Sequence, residues 1–159
     1  MRPPIRILLN LHLLLAFSLI GCGSPSKVID EGYGEFLPVP SGQFRMGDNF
    51  DEGHSDERPV HAVNLDGFYI ARYKTTNADF KRFMDVGGYH TAEYWQAGGF
   101  GEHGEAPDLW SDAEYRGEGI EGNGRYPVVG VSWFEAAAYC SWLSAETGAP
   151  YRLPTEAEW

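Results

Sequence analysis

Apolar and polar positions change their spacing several times along this chain, and each change marks an element. Residues 7–20 are apolar almost throughout, broken only by Asn10, His12 and Ser18. Short extended runs begin at Phe36: residues 36–40, a turn at Ser41-Gly42, then residues 43–47. An acidic loop, residues 48–59, leads to residues 61–65, where apolar and polar side chains alternate as on a half-buried strand. Asp66-Gly67 is a turn signal and residues 68–72 return, apolar from Phe68 to Ala71 before Arg72, so 61–72 is predicted as a hairpin.

The spacing then turns helical. Thr76 with Asp79 three residues on approximates a capping box, and Asp79 suits the positive end of a helix. Phe80, Phe83 and Met84 share one face, and Gly87-Gly88 stops the helix. Residues 87–124 show no period and are rich in Gly, Glu, Tyr and Trp, an unusually long irregular stretch for one domain. Residues 127–131 are predicted as a buried strand. Ser132 and Glu135 then cap a second helix, with Trp133, Ala136, Ala137, Cys140 and Leu143 as its inward stripe and Gly148 and Pro150 as its stop. A third cap, Thr155 with Glu158, precedes Trp159. A one-turn helix has no stability of its own, so the sequence reads as part of a longer domain, incomplete at its C-terminus.

Composition adds three constraints. At 159 residues with 43% apolar content, a single packed domain is expected, and 20 Gly with 10 Pro favour a loop-rich one. The formal charge of −11, more negative still without Arg2 and Arg6, repels phosphate backbones, so no nucleic acid is expected as a partner. The same charge disfavours electrostatic adhesion to anionic lipid, so attachment to a membrane requires an anchor.

The front of the chain supplies one. Arg2 and Arg6 precede an apolar run of about 14 residues, shorter than the roughly 20 a spanning helix needs. Leu19-Ile20-Gly21-Cys22 resembles a bacterial lipobox, which implies a signal peptide at 1–21, acylation of Cys22 and a tether at 22–35. The expected location is the cell envelope, at the outer membrane in a Gram-negative cell because Gly23 rather than Asp follows the cysteine. With Cys22 acylated, Cys140 is left without a disulfide partner.

Several segments together resemble the formylglycine-generating enzyme (sulfatase-modifying factor) family. They are residues 39–47, Arg58-Pro59-Val60-His61, Phe68-Tyr69-Ile70, residues 127–133, Glu135-Ala136, Ala138-Tyr139-Cys140, Trp142 and the run Arg152-Leu153-Pro154-Thr155-Glu156-Ala157-Glu158-Trp159. Lys74 and Thr75 depart from the family's pattern and are read as surface drift. The resemblance covers residues 36–159 and implies a loop-rich α+β domain of C-type-lectin-like fold. It also implies two late cysteines that hold copper(I), as a soft thiolate pair suits that ion, and a cysteine in a sulfatase as substrate. Those cysteines would fall beyond Trp159, so no cofactor is visible in this segment and its catalytic residues are unknown.

Other candidates read as structural. Cys140 has no basic neighbour to activate it and is expected to pack. Ser132 lacks the second glycine of a nucleophile elbow, Phe134 standing there, and is expected to cap. Asp48, Asp51, Glu52, His54, Asp56, Glu57 and His61 match no calcium or zinc spacing, so a solvated acidic loop and no metal site are expected. Tyr94, Trp95, Trp110 and Tyr115 are expected to supply core. Two functions stand at this point: formylglycine formation in exported sulfatases, or a non-catalytic, lectin-like binding and scaffold lipoprotein for a protein or peptide partner. Whether the protein is an enzyme is left undecided.

Overall fold

A computed structural model describes residues 17–18, 27–48, 50, 52–111 and 124–159. Cys22, Asp51, Tyr115 and most of the expected signal peptide at 1–21 lie outside the described residues.

Among the described residues six strands run in chain order: β1 (Phe17–Ser18), β2 (Ile29–Asp30), β3 (Glu35–Val39), β4 (Gly42–Met46), β5 (His61–Leu65) and β6 (Phe68–Ala71). β3 pairs antiparallel with β6, from Phe36↔Ala71 to Val39↔Phe68, and β4 with β5, from Gly42↔Leu65 to Met46↔His61. The offset between partners is the same in both ladders. The four strands therefore form one long ribbon, interrupted where Pro40-Ser41 faces Asp66-Gly67.

This corrects the predicted hairpin. Asp66-Gly67 carries the chain from one sheet to the next, and the reversal happens at the tip, residues 47–60. Proline at position 40 cannot donate to a ladder, and the two-residue gap lets each half of the ribbon turn its faces differently. β2 and β1 complete the larger sheet, in the order β1-β6-β3-β2.

The near half of the ribbon is buried on both faces. Tyr69 and Ala71 join the main core beside Phe36, while Phe68 packs with Val39, Leu65, Ile70 and Leu153 on the other side. That division follows the two-residue period of a strand. The far half, β4 and β5, is mostly exposed.

Two α-helices pack against the near half. α1 (Asn77–Asp85) begins as predicted: Thr76 Oγ1 accepts the Asp79 N–H at 3.2 Å, and Asp79 accepts from the Thr76 N–H at 3.3 Å. Phe80 and Phe83 are buried, and Gly87 takes the left-handed conformation that ends the helix. In α2 (Trp133–Thr147) the capping box at Ser132 and Glu135 also forms, with Gly148 left-handed at the other end.

The inward stripe of α2 differs from the prediction. Trp133 is 57% exposed and Ala137 only half-buried, whereas Glu135, Ala138, Tyr139 and Trp142 join Ala136, Cys140 and Leu143 inside. The helix is enclosed over most of its circumference, so no single stripe describes it.

Residues 127–131 do not form the predicted strand. They make one bridge, Pro127↔Thr76, and bury Val128 and Val131. Their neighbours serve α1 instead: the carbonyls of Tyr126 and Gly124 accept the N–H groups of Asn77 and Ala78, at 2.9 and 3.0 Å. These helix-end donors have no partner within the helix.

The core is largely aromatic. Phe80 stacks on Tyr139 at 5.4 Å, and Phe83 meets Tyr89, Tyr139 and Trp142 at 5.7 to 5.9 Å. Trp95 is buried, and Tyr94 and Trp110 pack partly buried against the same cluster, as core-supplying aromatics. The described part of 87–124 carries short 3-10 turns, Gly88–His90, Ala92–Tyr94 and Asp108–Ser111, joined by irregular chain. The third cap also forms, over a 3-10 turn, Glu156–Glu158.

Candidate functional site

Between the end of β6 and the start of α1 the chain runs extended, and β-bridge pairing brings Pro127 alongside it. Arg72, Tyr73, Lys74 and Thr76 form one wall of a groove, Arg125 and Pro127 the other, and Trp159 closes an end; the groove encloses about 680 Å³. Tyr73 is 67% exposed and Trp159 63%. Arg72 donates to Glu35 at 2.7 Å and its guanidinium lies 5.4 Å from the Tyr73 ring, and the Glu35 carboxylate holds that guanidinium's pKa above its ordinary value. Arg125 makes no ion pair among the described residues.

This juxtaposition was not read from the sequence. Lys74 was taken as surface drift, and it does line the groove. Thr75 is a correction: it is 5% exposed, and its carbonyl accepts the Val128 N–H at 2.9 Å. Its burial comes where the chain turns inward after the exposed run Arg72-Tyr73-Lys74 to meet residues 127–128.

A second cluster is buried at the start of α2. The Tyr89 hydroxyl donates to Glu135 at 2.5 Å, and the Ser132 N–H donates to the same carboxylate at 2.7 Å. Burial, and then the bond to Glu135, push the Tyr89 phenol far above its ordinary pKa, so it remains a donor. His103 Nε2 lies 3.3 Å from Ser132 Oγ, and His103 Nδ1 3.9 Å from Glu135.

A serine, a histidine and a carboxylate thus meet, but not as a hydrolytic set. Ser132 Oγ accepts the Glu135 N–H at 3.2 Å as a cap, and 3.9 Å is too long for the carboxylate to orient the imidazole. Trp95 stacks on His103 at 5.8 Å and donates to the Gly88 carbonyl at 2.9 Å. The cluster ties the irregular segment to α2. His103 escaped the sequence reading because a lone histidine in an aperiodic stretch carries no signal of its own.

The tip of the ribbon is more ordered than a solvated acidic loop. Asp48 is the correction: its side chain is 3% exposed and accepts from the Phe50 N–H at 2.9 Å and from Arg58 at 2.8 Å. The Phe50 N–H, with Arg58 assisting, holds its carboxyl below the usual range against the cost of burial. Glu52, His54, Asp56, Glu57 and His61 are exposed as expected, and no group among the described residues could hold a metal ion. A groove of about 750 Å³ runs from this tip to Thr155, Glu156 and Ala157. Beside it Arg152 grips Glu158 through two 2.6 Å bonds. Burial raises the pKa of Glu158, but the bonds from Arg152 and from Thr155 outweigh it and hold the carboxyl low.

Cys140 is 3% exposed within the aromatic core. Copper(I) would require a second soft donor beside an accessible thiolate. Cys140 is the one cysteine among the described residues and it is enclosed, so they do not supply an accessible thiolate pair for that ion. Among the described residues no helix is long and apolar enough to cross a membrane.

The sequence profile described as the sulfatase-modifying factor enzyme 1-like domain matches residues 24–159. The chain belongs to this family. It is 39% identical over 136 residues to a hercynine oxygenase of Mycolicibacterium smegmatis, covering 79% of this chain and 30% of that protein. It is 32% identical over 157 residues to the formylglycine-generating enzyme of Mus musculus, covering 79% and 38%. With the formylglycine-generating enzyme of Streptomyces coelicolor it shares 35% over 144 residues, covering 76% and 44%. The chain therefore spans less than half the length of these relatives. The mixed architecture of two helices and antiparallel sheets agrees with family membership.

Proposed function

We propose that this chain is the front portion of an exported, lipid-anchored member of the sulfatase-modifying factor family that oxidises a substrate cysteine to formylglycine. The observation that supports the reading is the similarity, over roughly three quarters or more of the chain, to proteins named formylglycine-generating enzymes. Cys22 is the proposed lipid attachment point, which would hold the protein at the outer membrane of a Gram-negative cell. The fold, with short strands and loop-built core, is proposed to be of the lectin-like type. The oxidising thiols would lie outside the described residues, because Cys140 is enclosed.

The test has two parts. Sequencing the gene past the codon for Trp159 should show two closely spaced cysteines in frame. The full-length protein, incubated aerobically with a sulfatase-derived cysteine peptide, should then convert its thiol to an aldehyde, read by mass and by hydrazide capture. A frame without the pair, or a peptide recovered unchanged, sinks the oxidase reading.

A non-catalytic binding lipoprotein is the second reading. It is favoured by the exposed aromatic side chains of Tyr73 and Tyr126 beside α1, of the residue type that concentrates binding energy at protein interfaces. Radiolabelled palmitate incorporated into the wild type and absent from Cys22→Ser would support the anchor, which both readings share.

A further inference from the structure

We propose that residues 28–34 are a strap clamped onto the domain rather than a free tether, so that residues 22–27 alone join it to the lipid and the β2 end faces the bilayer. The inference deepens the lipid-anchor reading and rests on it. The described part of the segment expected as a tether is folded. β2 pairs with β3 at Ile29↔Phe36 and Asp30↔Glu35, and the Asp30 carboxylate accepts the Gly32 N–H at 2.8 Å in the turn between them. Gly32 and Gly34 take the left-handed backbone that this turn needs, at φ +82° and +102°.

Three distant parts of the chain hold the strap. Arg82 of α1 donates to the Gly32 carbonyl at 2.9 Å, and its guanidinium lies 4.2 Å from the centre of the Tyr33 ring. That ring in turn meets Trp142 of α2 edge-on at 5.7 Å, and the Tyr151 hydroxyl donates to Glu31 at 3.0 Å. Ile29 and Tyr33 also pack, partly buried, against the main core. The consequence is geometric. Fully extended at roughly 3.3–3.6 Å per residue, 22–27 reach at most about 20 Å, whereas a free run to residue 34 would reach about 45 Å. The formal charge of −11 gives the chain no attraction of its own to anionic lipid. The strap, not charge, therefore sets the distance from the bilayer and the end presented to it.

The test is brief proteolysis of palmitate-labelled, full-length protein on phosphatidylcholine vesicles, with the cuts read by mass. Trypsin should cut quickly after the exposed Lys27 and free the domain into the supernatant. Glu-C protease should cut slowly after Glu31, because a protease needs the strap undocked. Arg82→Ala should speed that second cut by roughly tenfold or more with an unchanged near-ultraviolet circular dichroism spectrum, since cleavage tracks the undocked population. Asp30→Ala is the second variant should the first fail to fold. Cleavage after Glu31 as fast as in a free peptide of residues 27–35, or at equal rates in the wild type and a folded variant, would overturn the strap. A domain that stays on the vesicles after complete cleavage at Lys27 would overturn the single link. Absence of palmitate with Glu31 still protected would remove the anchor reading, and the placement at the bilayer with it, while the strap itself would stand.

Discussion

Gly88 shows how much a single position decides. A Cβ built there runs into the ring of Phe83, which is itself 0% exposed and has no room to retreat. Gly88→Ala should therefore destabilise by about 1–3 kcal/mol, the usual range for overpacking, read as a lower midpoint in urea. Phe83 meets four aromatic rings besides that of Phe80, and Phe83→Ala should lower stability by roughly 3–5 kcal/mol. Cys140 should resist iodoacetamide in the native protein and react promptly in guanidinium; rapid native labelling would contradict its burial. Its packing role was legible in advance from its neighbours. The burial of Thr75 and the closure of Asp48 were not, because a threonine in an extended run and an acid in an acidic loop look like surface.

At the scale of elements, helix ends were the most readable feature. Thr76 with Asp79, Ser132 with Glu135 and Thr155 with Glu158 all form reciprocal caps. Such boxes close within four residues, so local sequence suffices to specify them. Thr76→Ala should cost about 1 kcal/mol, measured by thermal or urea unfolding. Strand partners and the buried face of α2 were less readable, since both depend on what arrives from elsewhere in the chain.

The clamp between Arg152 and Glu158 gives the pH dependence its sign. The Glu158 pKa is lowered on folding, so its ionised form contributes stability above the ordinary carboxylate range. That contribution is lost as pH falls through the depressed folded value. Wild-type unfolding should accordingly become easier with acidification, and Glu158→Gln should flatten that dependence. An unchanged acid profile in the variant would count against the clamp.

Over the whole molecule, the sequence alone determined whatever rests on local chemistry. It located the helix caps, the strands to within about a residue (36–47 and 61–72 read, 35–46 and 61–71 formed), the aromatic supply of the core and the family resemblance. Each is written in a few neighbouring residues, or in motifs that keep their order. The tertiary structure alone decided the pairing of β3 with β6 rather than β5 with β6, because residues some thirty positions apart compete with a nearby turn signal. It also decided the groove, whose walls at 72–76 and 125–127 meet through a single bridge at Thr76 and Pro127. Cations that far apart in sequence look like scattered surface charge. Only the bridge between Thr76 and Pro127 brings them to one groove.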